Sequence, residues 1–101
     1  MADRLDFQSI LEELLESRNV YYQPPETIKM QLDAIRYSKK TITSRYANNA
    51  KYSMMDCYEI IVISRKPDHP VIQKLLALPY SSYDRHYVAD NLNHDVLTIY
   101  H

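Results

Sequence analysis

The run Tyr58-Glu59-Ile60-Ile61-Val62-Ile63, set in a longer strand pattern from Tyr52 to Ser64, decides the fold. Successive side chains of a strand point to opposite faces. Tyr58, Ile60 and Val62 therefore share one face, and Cys57, Glu59, Ile61 and Ile63 the other. The middle of the run is apolar on both faces, which predicts a central strand covered on both sides at that level. The covering layers have to come from elsewhere in the chain.

Upstream, Phe7, Ile10, Leu11, Leu14 and Leu15 fall at the spacing of one amphipathic helical stripe. Asp3 or Asp6 suits its start, where a carboxylate meets the positive end of the helix dipole. Ser9 with Glu12 also fits a capping box. Ser17-Arg18-Asn19 ends the helix, with Asn19 in the place glycine usually takes. Val20-Tyr21-Tyr22-Gln23 reads as a short strand. Pro24-Pro25 stops it, because neither ring nitrogen can donate to a ladder. Residues 26–32 are ambiguous. Ala34-Ile35-Arg36-Tyr37 reads as a strand, continued by Thr41-Ile42-Thr43 after a kink at Lys39-Lys40. Ala47-Asn48-Asn49-Ala50 is the best turn.

Downstream, Arg65 to Pro70 is a break. Asp68 or His69 can cap a second helix with Pro70 in its first turn. Val71, Ile72, Leu75, Leu76 and Leu78 form its apolar face, and Pro79 ends it. Tyr80–Val88 then reads as a strand, Ala89–His94 as a turn region and Asp95–His101 as the closing strand. This order predicts a single α+β domain over residues 1–101: an antiparallel, meander-like sheet of about four to five strands, with two helices packed on one face.

Composition narrows the function classes. A chain of 101 residues holds one domain and a two-layer core. Net charge of −1 gives no global nucleic-acid signal. No apolar run approaches the roughly 20 residues of a membrane span, and the acidic, amphipathic start does not read as a secretory signal. The lone Cys57 fits a reducing compartment. The chain has no glycine, so positions of positive φ are expected to fall to Asn or Asp. Ten tyrosines against one Phe and no Trp suit either an interface or a half-buried sheet. Charge is polarised along the chain: net −4 over residues 1–33, +5 over 34–66 and −2 over 67–101. Such a surface can orient a partner.

Few residues offer chemistry. Cys57 sits in an apolar strand with no His near it in sequence, which makes it a core residue rather than a nucleophile. Asp84, His86, Asp90, His94 and Asp95 could converge on a metal if residues 83–101 form a hairpin. No CxxC or HExxH motif accompanies them, and a hydrogen-bonded loop is the preferred reading. Arg36, Lys39, Lys40, Arg45, Lys51, Arg65 and Lys66, interleaved with Tyr37, Tyr46 and Tyr52, are the residues that could track a single nucleic-acid strand. No catalytic residue, cofactor or metal ligand is assigned.

The order of elements and the polar block Tyr83-Asp84-Arg85-His86-Tyr87 with Asn91-Leu92-Asn93-His94-Asp95 resemble the small tail-terminator, or tail-completion, proteins of long-tailed bacteriophages. The resemblance runs over nearly the whole chain. It includes Val20-Tyr21-Tyr22-Gln23-Pro24-Pro25, Ala34-Ile35-Arg36-Tyr37 and Tyr58-Glu59-Ile60-Ile61-Val62-Ile63 leading into Pro67-Asp68 and the helix at 71–78. It implies an α+β, non-enzymatic protein of the virion neck, assembled in the host cytoplasm. Its hexameric ring would cap the tail tube, stop elongation and join tail to head. The implied partners are other copies of the chain, the major tail tube protein and a head-completion or connector protein, with non-specific contact to DNA in the channel and no membrane. The chain is shorter than many members of that family, so its 38–52 hairpin and final loop are expected to be trimmed. In this reading Arg45, Tyr46 and Lys51 reach a neighbouring ring or the tube. Asp84, Arg85, His86, Asn91 and Asn93 contact an adjacent subunit or hold the loop that does. The alternatives are a connector protein of the same neck, or a small metal- or nucleic-acid-binding module.

Overall fold

The computed structural model describes residues 4–25, 29–40 and 56–101. Its elements run α1 (Arg4–Leu15), β1 (Val20–Tyr22), β2 (Ala34–Lys39), β3 (Cys57–Ser64), α2 (Pro70–Leu76), β4 (Ser81–Ala89) and β5 (Leu92–Tyr100). The expected 41–43 strand, the 47–50 turn, the 52–55 start of the long strand and the Asp3 cap lie outside the described residues. The five strands form one sheet in the order β1-β2-β3-β5-β4. β3 is central, flanked by β2 and β5.

Both helices pack on one face. Phe7, Leu11 and Leu15 of α1 and Val71, Ile72 and Leu75 of α2 join Val20, Ile35, Tyr37, Tyr58, Ile60, Val62, Leu97 and Ile99 in one core. Phe7 stacks on Tyr58 at 4.5 Å and meets the edge of Tyr37 at 5.7 Å. Tyr37 keeps its hydroxyl satisfied by donating to Gln8 Oε1 at 2.8 Å.

The sheet is mixed rather than wholly antiparallel: β1 lies parallel to β2, while the other three pairings are antiparallel. A parallel neighbour needs a crossover of about a dozen residues, and the ambiguous stretch between Gln23 and Asp33 supplies it. Met30 and Leu32 of this crossover pack on Ile61, Ile63 and Val96, on the face away from the helices. Tyr21 on the same face accepts the Gln31 N–H at 3.0 Å. β3 is thus covered on its second side by a strap of loop, at the Ile61–Ile63 end.

The chain ends its helices without glycine. α1 closes at Glu16 rather than Asn19. Glu16 has φ 59, with Ser17 N–H bonded to Glu12 O at 3.1 Å and Glu16 N–H to Glu13 O at 3.2 Å. That is the paired Schellman bonding pattern. Asn19 instead donates its amide to Asp33 O at 3.3 Å, tying the strap to the start of β1. At α2, His69 Nδ1 accepts the Val71 N–H at 3.1 Å, so its Nε2 carries the proton that faces Asp33 Oδ2 at 3.3 Å. Positive φ falls on Asp68, Asp90 and Asn91 as expected, but also on Glu16, Gln23 and Tyr80.

The C-terminal block is a long hairpin. Asp90 and Asn91 have φ 53 and 62, the two left-handed residues that the tightest hairpin turns require. The turn is therefore two residues long, and Leu92, Asn93 and His94 belong to β5 rather than to a loop.

Candidate functional site

The polar block singled out in the sequence, Tyr83–Tyr87 with Asn91–Asp95, lies on this hairpin. β4 is an edge strand and is exposed along most of its length. Its alternation breaks once, between Tyr83 and Arg85, where Asp84 forms a bulge against Val96. Side chains consequently sort onto two faces. Tyr83, His86 and Val88 pair with Leu97, Asp95 and Asn93 on the helix side. Arg85 and Tyr87 pair with Val96 and His94 on the opposite, open side.

Most of the polar side chains are satisfied within the chain. Asp95, 5% exposed, accepts from the Tyr83 hydroxyl at 2.6 Å. That bond, more than burial, pushes the Tyr83 phenol up to about 12. Thr98 Oγ1 donates to Asp84 Oδ2 at 2.8 Å and accepts from Lys40 Nζ at 3.3 Å. Asn93 donates to the carbonyls of Ser64 and Arg65, at 3.5 and 3.4 Å. Its Oδ1 then faces His86 Nε2 at 3.0 Å. His94 stacks on Tyr87 at 4.7 Å, and its Nδ1 donates to Leu92 O at 3.0 Å. Arg85 lies 5.9 Å from the Tyr87 ring and has no carboxylate partner among the described residues. Asn91 belongs to the turn. Arg45, Tyr46 and Lys51 lie outside the described residues.

The hairpin does not assemble the metal set that the sequence allowed. His86 and Asp95 face the helix side, Asp84 bonds Thr98 on the open side, His94 points the same way, and Asp90 is in the turn. Among the described residues no group of three or more His, Cys, Asp or Glu could hold an ion. Cys57 is buried at the start of β3, and burial pushes its thiol above the ordinary value. That is the opposite of what activates a nucleophile. Nor do the described basic residues make one patch. Lys39 and Lys40 flank the Cys57 end of β3, with Lys39 paired to Asp56 at 3.4 Å, whereas Arg65 and Lys66 follow the Ser64 end.

A shallow groove of about 420 Å³ on the open face went unread in the sequence. Gln23, Arg36, Ser38, Lys39, Glu59 and Ile61 line part of it. It exists because β1 stops at Tyr22, and the Gln23 side chain takes over the missing ladder contact by accepting the Lys39 N–H at 3.2 Å. No periodicity announces such a gap, since only the unequal lengths of neighbouring strands produce it. Among the described residues no helix is long and apolar enough to cross a membrane. No protein-family model matches the chain, nor does any curated protein or solved structure.

Proposed function

We propose that the chain is a structural protein of the neck of a long-tailed bacteriophage, forming a ring that caps the tail tube, stops its elongation and joins tail to head. The observation that carries the reading is the terminal hairpin. Its outer strand is nine residues long, exposed, and loaded with Tyr83, Asp84, Arg85 and His86. Tyrosine and arginine are favoured at protein interfaces. The charge imbalance between the first and middle thirds of the chain adds to this, because a ring needs two different and complementary surfaces on every subunit. In this proposal Asp84, Arg85, His86, Asn91 and Asn93 contact an adjacent subunit or hold the loop that does. Arg45, Tyr46 and Lys51 reach a neighbouring ring or the tube.

The test is genetic and visual. Reversing the charge of Arg45 in the phage should give tails of abnormal length and unjoined heads by negative-stain microscopy. Unchanged particles would end the assignment of that residue. Loss of the whole gene separates two neck roles. Overlong tails fit a terminator, whereas tails of normal length left unattached to heads fit a connector protein.

A further inference from the structure

Among the described residues β4 has one paired edge and one bare edge. Tyr100 N–H bonds Tyr80 O at 3.1 Å, which sets the alternation of the β4–β5 ladder. Tyr100, Thr98, Val96 and His94 then turn their backbone toward β4, and Ile99, Leu97, Asp95 and Asn93 toward β3. The β4 partners of this second group are Ser81, Tyr83, His86 and Val88. Their N–H and C=O groups therefore point outward, to none of the described strands. Their side chains all lie on the helix side, because the extra residue at Asp84 shifts the alternation between Tyr83 and His86.

This pattern has an unusual property. In an antiparallel pairing of β4 with itself, opposed residues must share a face, and outward backbone must meet outward backbone. Only one register satisfies this for all four residues: Ser81 opposite Val88 of a second copy, and Tyr83 opposite His86. The twofold axis then falls between Asp84 and Arg85. Both lie on the open side, so Asp84 of each copy faces Arg85 of the other. Registers displaced by one residue set Asp84 against Asp84 or Arg85 against Arg85 and oppose side chains from different faces. A bulge normally discourages edge pairing by breaking the alternation. Here two copies of the same bulge meet across the axis and their offsets cancel.

Exposure agrees with the register. The large apolar side chains left exposed among the described residues are Leu5, Tyr83 and Val88, and the last two sit at outward positions of β4. Arg85, without an ion pair among the described residues, gains a carboxylate. Among the described residues Asp84 bonds Thr98 through Oδ2.

We propose that the free chain forms a twofold dimer by pairing β4 with β4 of a second copy, in the register that joins Asp84 to Arg85. This concerns the chain off the tail and does not depend on the ring reading. Sedimentation equilibrium of the full chain over a concentration series should show the mass rise from 12.0 kDa toward twice that value. Asp84→Arg alone and Arg85→Asp alone should each weaken association by at least about tenfold, since like charges replace both unlike contacts. The double variant should restore it. An equimolar mixture of the two single variants should also associate, because one copy then carries two arginines and the other two aspartates. Hydrogen exchange on the unaltered protein should show protection of residues 81–88 that grows with concentration, which covers the case of a variant that fails to fold. A monomer at every concentration, a dimer indifferent to both single reversals, or protection of β4 that does not change with concentration would overturn the proposal.

Discussion

The two faces of β3 are built from neighbouring residues of one strand, yet they are covered in different ways. Ile60 looks into a core made by two helices and is fully buried. Ile61, the next residue, lies under a loop strap that packs Met30 and Leu32 against the Ile61–Ile63–Val96 cluster, and is 7% exposed. A helix arrives with its backbone hydrogen bonds already made inside itself. A strap must find partners one by one, as with Gln31 on Tyr21 and Asn19 on Asp33. The lesson is that the apolar pattern of a strand announces burial but not the means of burial.

The largest effects test this contrast directly. Ile60→Ala should cost about 4–5 kcal/mol in urea unfolding, and Ile61→Ala about 2–3 kcal/mol, the two ends of the range for such truncations. The strap can sag into the space that Ile61 vacates, whereas paired helices cannot. Equal losses would break the comparison. Next comes the hairpin, where the helix side runs out and a carboxylate is buried instead. Tyr83→Phe removes the bond given to Asp95, and should cost about 1–2 kcal/mol by the same measurement, as expected for a buried acceptor left without its donor. No loss would mean that Asp95 finds another partner or water.

A smaller effect of opposite sign is expected at the end of α1. Glu16→Gly relieves a left-handed residue, worth roughly 1–2 kcal/mol, against the greater chain freedom of glycine, roughly 0.5–1 kcal/mol. A net gain of about 0.5–1 kcal/mol should appear as a raised melting temperature. The exposed Lys74–Glu16 pair at 3.1 Å subtracts little. The last expectation involves no change at neutral pH. Burial pushes the Tyr58 phenol to about 12, and the bond to Asp95 pushes Tyr83 to about 12, against 10.0 for a free phenol. The folded chain keeps protons that the unfolded chain has released, so stability is full below pH 10 and declines between pH 10 and about 12. Denaturation curves taken across that window check it, and Tyr83→Phe should flatten part of the slope.

The sequence was most legible where one period ran unbroken. The alternation of Tyr58 to Ile63 placed β3 at the centre and sorted its faces, and the Phe7-to-Leu15 stripe placed α1 on the helix side. Three things were not legible. The parallel pairing of β1 depends on a crossover that has no period, and only the contacts of Met30 and Leu32 reveal it. Glu16 ends α1 because the helix geometry has to close there, and nothing in its chemistry marks it as a glycine substitute. Asn93 and His94 looked like a turn because they are polar. They belong to a strand because the Ser64 and Arg65 carbonyls take up the Asn93 amide and the Leu92 carbonyl takes up His94 Nδ1. For the candidate site, the sequence located the polar block but not its geometry. The bulge at Asp84 decides which residues share a face, and it leaves no signature in composition.

The early stop of β1 has a further consequence. On that flank the sheet ends in a three-residue strand, the Gln23 amide occupies the next ladder position, and Pro24 and Pro25 follow. In the vocabulary of polymer chemistry the molecule is close to monofunctional: the β4 end offers nine residues for pairing, whereas the β1 end offers three and is followed by two prolines that cannot donate. If two such units join through β4, both long ends are consumed and only short ones are left, a poor template for a fibril.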